Sequence, residues 1–185
     1  MALNLNRINI TPTKGLYVYM PNAPEPHNCI VSEDQSTALV AGDIVTLDAS
    51  SSNTHCPVIK KAAVNDKVFG VIPYDMLKNS YSAKEKCMAA IEGSYIYLPA
   101  AKAIAMGADL YFTATGTVTD AATPGNSIIG IANTAAAAKD DLVQVKLRFV
   151  AGVASEPSDE PSAAPSAEPS AEPSAEPSAE PSVGG

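Results

Sequence analysis

One pattern occurs twice in this chain, and it restricts the fold more than any other feature. Gly42-Asp43-Ile44-Val45-Thr46-Leu47 opens the first copy, and Val68-Phe69-Gly70-Val71-Ile72 closes it. Gly107-Ala108-Asp109-Leu110-Tyr111-Phe112 opens the second, which closes with Ile128-Ile129-Gly130-Ile131-Ala132. In each copy a turn carrying Gly and Asp leads into a run rich in β-branched and aromatic residues. A polar loop and a Val-bearing strand follow (Pro57–Lys60, Thr117–Thr119), and a Gly sits inside the last apolar run. The longer loop 50–55 accounts for the wider spacing of the first copy. Asp43 and Asp109 are read as equivalent turn residues, each carboxylate accepting a backbone N–H, rather than as an acid–base pair. Gly42, Gly70, Gly93, Gly107 and Gly130 are the structural glycines of this scheme. Two similar β-units predict an all-β fold, a small barrel or sandwich.

The rest of the chain divides around that body. Residues 1–35 read as an extended N-terminal arm. Leu16–Met20 has the alternation of a short strand, and Pro21, Pro24 and Pro26 then forbid regular structure. Residues 36–150 are the β-rich body, with strands expected near 37–40, 43–48, 57–61, 67–72, 86–91, 94–98, 109–113, 116–119, 127–132 and 142–149. Ser82-Ala83-Lys84-Glu85 fits a helix capping box. The repeat logic favours a strand at 87–91 instead, with Gly93 making a hairpin turn into 94–98. Pro99 to Met106 is the best helix candidate, one or two turns closed by Gly107. In Leu142–Phe149, apolar and polar residues alternate as in a half-buried strand.

Residues 151–185 hold a period of four, Pro-Ser-Ala-Glu, running through Pro181. Proline at that spacing blocks helix and sheet, so an acidic, disordered, polyproline-leaning tail is expected. The chain's net charge of −8 belongs mostly to it. With the seven tail acids removed, 20 − 7 = 13 acids face 12 bases in residues 1–150. A body so balanced carries no basic footprint for nucleic acid. No apolar run reaches the roughly 20 residues of a membrane span, and no signal peptide is evident at Met1–Arg7. A protein assembled in a reducing cytoplasm is expected, because three cysteines without a CxxC spacing suit reduced thiols.

Little in the sequence points to reaction chemistry. His27, Cys29, His55 and Cys56 have the composition of a zinc site, but structural zinc ligands come in short pairs and these do not. No metal, cofactor or catalytic residue is assigned. No GxSxG, P-loop, HExxH or GxGxxG motif occurs, and an enzyme is not expected. Tyr17 and Tyr19 share one strand face by the period of two, as do Tyr95 and Tyr97. These four are the candidate interface residues, with sheet core as the alternative and sugar stacking as a third role.

The segments Ala41–Val45, Phe69-Gly70-Val71, Glu92-Gly93-Ser94 with Tyr97-Leu98, Met106–Asp109, Ile129–Ala132 and Val143–Leu147 together resemble a known family. It comprises the small β-rich cement or decoration proteins, auxiliary capsid proteins that coat tailed bacteriophages. The resemblance covers about residues 36–150, and the Pro-rich arm and the tail depart from it. It implies a non-enzymatic virion protein on the outer capsid surface, docked on the major capsid protein lattice, often as a homotrimer. The competing expectation is a glycan-binding module that grips host-surface sugars through the tyrosines.

Overall fold

The computed structural model describes residues 11–151, apart from 52, 54 and 124. The strands are β1 (Tyr17–Val18), β2 (His27–Val31), β3 (Leu39–Val40), β4 (Ile44–Leu47), β5 (Val58–Lys61), β6 (Gly70–Val71) and β7 (Ser80–Tyr81). They continue with β8 (Lys86–Ala89), β9 (Tyr95–Pro99), β10 (Asp109–Phe112), β11 (Val118–Thr119), β12 (Ile128–Ala132) and β13 (Leu142–Val150). Among the described residues there is no helix. The chain is all-β, as the alternation predicts: in β9, Ile96 and Leu98 are buried while Tyr95, Tyr97 and Pro99 are half-exposed.

Two sheets carry the fold, and each is closed on itself. One has the order β6-β4-β5-β2-β8, and a bridge between Val71 and Ala90 joins its two edges. The other has the order β1-β9-β13-β12-β10-β11, and a parallel bridge between Ala100 and Val118 brings β11 back to the end of β9. The closures pair strand edges that an open sheet would leave free, with β1 remaining as an edge strand beside β9.

The two barrels are copies of one another. β4, β5 and β6 correspond to β10, β11 and β12, with the first strand central in both triplets. The register agrees residue for residue: Val45 faces Gly70 and Ile44 faces Val71, while Leu110 faces Gly130 and Asp109 faces Ile131. The correspondence extends beyond the repeat visible in the sequence. β2 runs parallel to β5 and antiparallel to β8, just as β9 runs parallel to β11 at the Ala100 bridge and antiparallel to β13. Even the plugs match. Leu39 pairs with Tyr81 in the first barrel and Ile104 with Ala136 in the second, all four buried. The corresponding glycines have one cause. A Cβ on Gly70 would lie 2.7 Å from the Ala90 carbonyl oxygen, and one on Gly130 would strike the Lys146 carbonyl oxygen. At both places a neighbouring strand leaves no room for a side chain.

A single turn opens most of the strands. The Gly42 N–H donates to the Ile72 carbonyl, and the Ile72 N–H returns to the carbonyl of Asp43, the residue after the glycine. The same exchange occurs at Gly15 with Tyr97, Lys84 with Val31, Gly93 with Leu147, Gly107 with Ala132, Gly116 with Thr113 and Asp140 with Ala100. Two residues facing one make a β-bulge, and its first residue needs a positive φ. The values run from 67° at Lys84 to 91° at Gly93.

Several sequence expectations change. Gly93 does turn the chain, but β8 and β9 are not paired, so the turn passes from one barrel to the other instead of making a hairpin. The capping-box residues bond as expected, with the Ser82 N–H donating to Glu85 at 2.6 Å. They open a strand because Lys84 is left-handed at φ 67°, which ends any helix. Pro99 to Met106 is not helical. The N–H groups of Ala100, Ala101 and Ile104 donate to Asp141, Val118 and Ala136, so cross-strand partners take the backbone.

Residues 11–35 lie on the protein's own body. Tyr17 and Val18 pair with Ile96 and Tyr95, and His27–Val31, read as arm, is an inner strand with Cys29 and Val31 in the core. Lys14 reaches to 3.9 Å from Asp43 in the first barrel, while the Gly15 N–H donates to Tyr97 in the second. This segment therefore ties the two barrels together. Their cores also merge, with Ile44, Val68, Val71 and Ala90 clustered among the apolar residues of the second barrel. Residues 1–10 and the Pro-Ser-Ala-Glu tail lie outside the described residues.

Candidate functional site

The duplication separates what the fold requires from what has been added to it. In the first barrel residues 32–38, 48–58 and 73–80 fill intervals that the second spans with 101–103, 113–117 and 133–135. The first two additions enclose a polar groove of about 860 Å³ whose lining includes Ser32, Asp34, Asp48, Ser50, His55 and Lys84. At its base the Ser32 hydroxyl donates to the Asp48 carboxylate at 2.5 Å, and the Ser50 hydroxyl does so at 2.7 Å. Those bonds, with the Ser50 amide and Lys60 at 3.7 Å, hold the Asp48 carboxyl down to about 2. A carboxylate held that low is a poor proton acceptor at neutral pH; its geometry suits fastening the two loops.

The third addition is apolar. Met76 is 87% exposed and Leu77 96%, side by side at the tip of the loop. Beneath them Pro73 is buried and the Tyr74 N–H donates to the Gly15 carbonyl at 2.7 Å. Asp75 accepts from the Leu77 N–H at 2.8 Å and from the Tyr81 hydroxyl at 3.0 Å. These two donors hold the Asp75 carboxyl below the usual carboxylate range. Burial, with Asp75 beside it, pushes the Tyr81 hydroxyl up to about 12. Neither added loop stood out in the sequence as a site. Their signal is the length difference between the copies: the sequence shows it for loop 50–55, but for 32–38 and 73–80 it appears only once the copies are aligned over their full extent.

The sequence candidates are dispersed. Tyr17 lies opposite Ile96 and so on the inner face, its hydroxyl donating to the Pro24 carbonyl at 2.7 Å. Tyr95 and Tyr97 are on the outer face of β9, the first beneath the Lys146 ammonium and the second bonded to Gln144 at 3.4 Å. Tyr19 is 78% exposed beyond the end of β1. The four do not form one surface.

Asp43 and Asp109 are not equivalent either. Asp43 follows its glycine directly, is buried, accepts from the Val40 N–H at 2.9 Å and binds Lys61 at 3.1 Å. Asp109 comes one residue later in its copy, so it projects from the opposite face, where it pairs with Arg148 at 2.8 Å. Only Asp43 caps its turn.

Cys29 and Cys87 face each other across β2 and β8, both buried, and burial pushes their thiols up to about 12 and about 11. The Cys56 thiol donates to the Asn28 carbonyl at 3.3 Å, His27 packs near the Phe69 ring, and His55 is exposed on the groove's rim. Among the described residues, no group of three His, Cys, Asp or Glu side chains is placed to hold a metal ion.

Residues 27–147, from the first strand of the first barrel to within the last strand of the second, match the phage cement protein family. The chain belongs to the phage cement protein family. As a member it is a structural protein of the virion capsid and associates with that capsid. Residues 151–183 match a repeat described as the PT disordered repeat. Among solved structures, the chain is similar to the N base of head fiber gp8.5 in bacteriophage phi29. That likeness has 16% identity and a TM-score of 0.43, covering 67% of this chain and 93% of that one. No curated protein matches the chain.

Proposed function

We propose that this cement protein decorates the outside of the assembled capsid shell, docking on the major capsid protein lattice as a non-catalytic stabilising subunit. The observation that carries the reading is the family match across both barrels, residues 27–147. In this reading the protein is made in the host cytoplasm and docks as a homotrimer. The tail, 151–185, projects outward as a brush of glutamates unscreened by any base. Its charges keep coated particles apart until salt shortens the Debye length to roughly 10 Å or less. Electron microscopy of the native particle tests the location: density for both barrels outside the shell is expected, and internal density would refute the reading. Removing residues 155–185 should leave docking intact while coated particles clump at low salt. Failure of the truncated chain to dock would make the tail a binding element.

The polar groove on the first barrel favours a second reading, adhesion of the virion to a host-surface glycan. Binding of the purified chain to a glycan array, lost on Asp34→Ala with His55→Ala, is what that role requires.

A further inference from the structure

We infer that the loop of residues 73–79 is an apolar plug that seats in an uncharged hollow of the capsid shell. The inference rests on the decoration reading above and names the part of the chain that makes the contact.

The fold does not need this loop. The second barrel passes from Ala132 to Ala136 through residues 133–135, with the same register on either side, where the first takes residues 73–80 from Ile72 to Tyr81. What was added is an apolar tip in full contact with water, Met76 and Leu77. Exposed apolar groups side by side on a held loop are characteristic of contact surfaces, where methionine is enriched.

The loop is also fixed in advance. Pro73 anchors one end in the body, Tyr74 is bonded to Gly15, and the Asp75 carboxylate ties the Leu77 amide to the Tyr81 hydroxyl. A tip already ordered loses little conformational freedom when it binds.

Its charged groups are engaged by partners within the chain. Asp75 takes its two donors, and the Lys78 ammonium bonds Glu85 at 2.9 Å while lying 5.2 Å from the centre of the Tyr81 ring. The exposed side chains of the tip, Met76 and Leu77, carry no charge, and the surface that complements them is apolar and uncharged. An acidic or basic partner would leave its own charge without a counterpart there. The loop falls within residues 27–147, which match the family.

The test uses the full chain and capsid shells from particles grown without it. Met76→Ser with Leu77→Ser should weaken co-sedimentation tenfold or more, with thermal unfolding and oligomer mass unchanged, since neither side chain is buried. Met76→Leu with Leu77→Met should bind like the wild type. Wild-type sedimentation of the serine variant overturns the inference alone. Loss of oligomer mass together with loss of binding also overturns it, because the plug would then join copies of this chain. Failure of the wild-type chain to sediment with shells overturns the decoration reading and this inference with it.

Discussion

The two barrels share a hydrogen-bond register and differ in almost everything attached to it. The second, residues 95–150, is the plainer. Its loops are short, and its core holds Ile96, Leu98, Leu110, Phe112, Ile129, Val143, Val145 and Leu147. The first, residues 27–90, has a smaller core that includes two cysteines, and it carries the polar groove and the Met76–Leu77 tip. One copy spans its intervals with short loops and the other with longer ones. A loop present in one copy and missing from its twin cannot be required by the architecture. Comparing the protein with itself therefore picks out candidate contact loops where no catalytic signature does.

The comparison breaks first at β1, which pairs with the second barrel and has no counterpart on the first. Deleting residues 1–20 removes Tyr17 from the core edge and Lys14 from Asp43, and should cost about 4 kcal/mol in chemical unfolding. A truncated chain of unchanged stability would show that the segment only decorates the seam.

The paired glycines give the next largest effect. Gly130→Ala should destabilise by about 3 kcal/mol and Gly70→Ala by about 2 kcal/mol, since each new methyl meets a backbone oxygen that cannot swing away. Urea unfolding measures both. If Gly70→Ala is silent, the copies share topology without sharing the close approach.

Asp48 distinguishes the copies by pH. Its folded pKa of about 2 lies below the ordinary 3.8, so the stability it contributes is fully present above the ordinary value and is lost as pH falls toward 2. Asp48→Asn should therefore flatten that part of the Tm–pH curve. An unchanged acid limb would mean the Ser32 and Ser50 bonds persist in the unfolded chain.

The smallest effect compares Lys84 with Asp140, the two non-glycine residues among the bulge turns, at φ 67° and 69°. Lys84→Gly should stabilise by about 0.5–1 kcal/mol, because lysine is strained in the left-handed region and its exposed bond to Glu33 contributes little. Asp140→Gly should gain less, since aspartate tolerates that region better. Equal gains would place the strain in the bulge itself and not in the side chain.

Local chemistry was legible without coordinates. The Gly turns, the alternation in β9 and β13, and the repeated Gly70 and Gly130 all follow from forces acting within a few residues: sterics at positive φ, period-two burial, and the exclusion of side chains at a close strand approach. Those same residues carried the resemblance to the cement family. Tertiary structure decided the rest. The full duplication is not visible in the sequence because His27–Val31 and Tyr95–Pro99, its first strands, correspond by pairing register and share no sequence pattern. The bulge at Lys84 and Asp140 was hidden for want of a glycine. The stretch from Pro99 to Met106 had helical signals that a few local bonds could not sustain against partners on three other segments. Asp43 and Asp109 looked alike one position apart, yet a single step along a strand reverses the face, and only the closed barrels determine which face is inside.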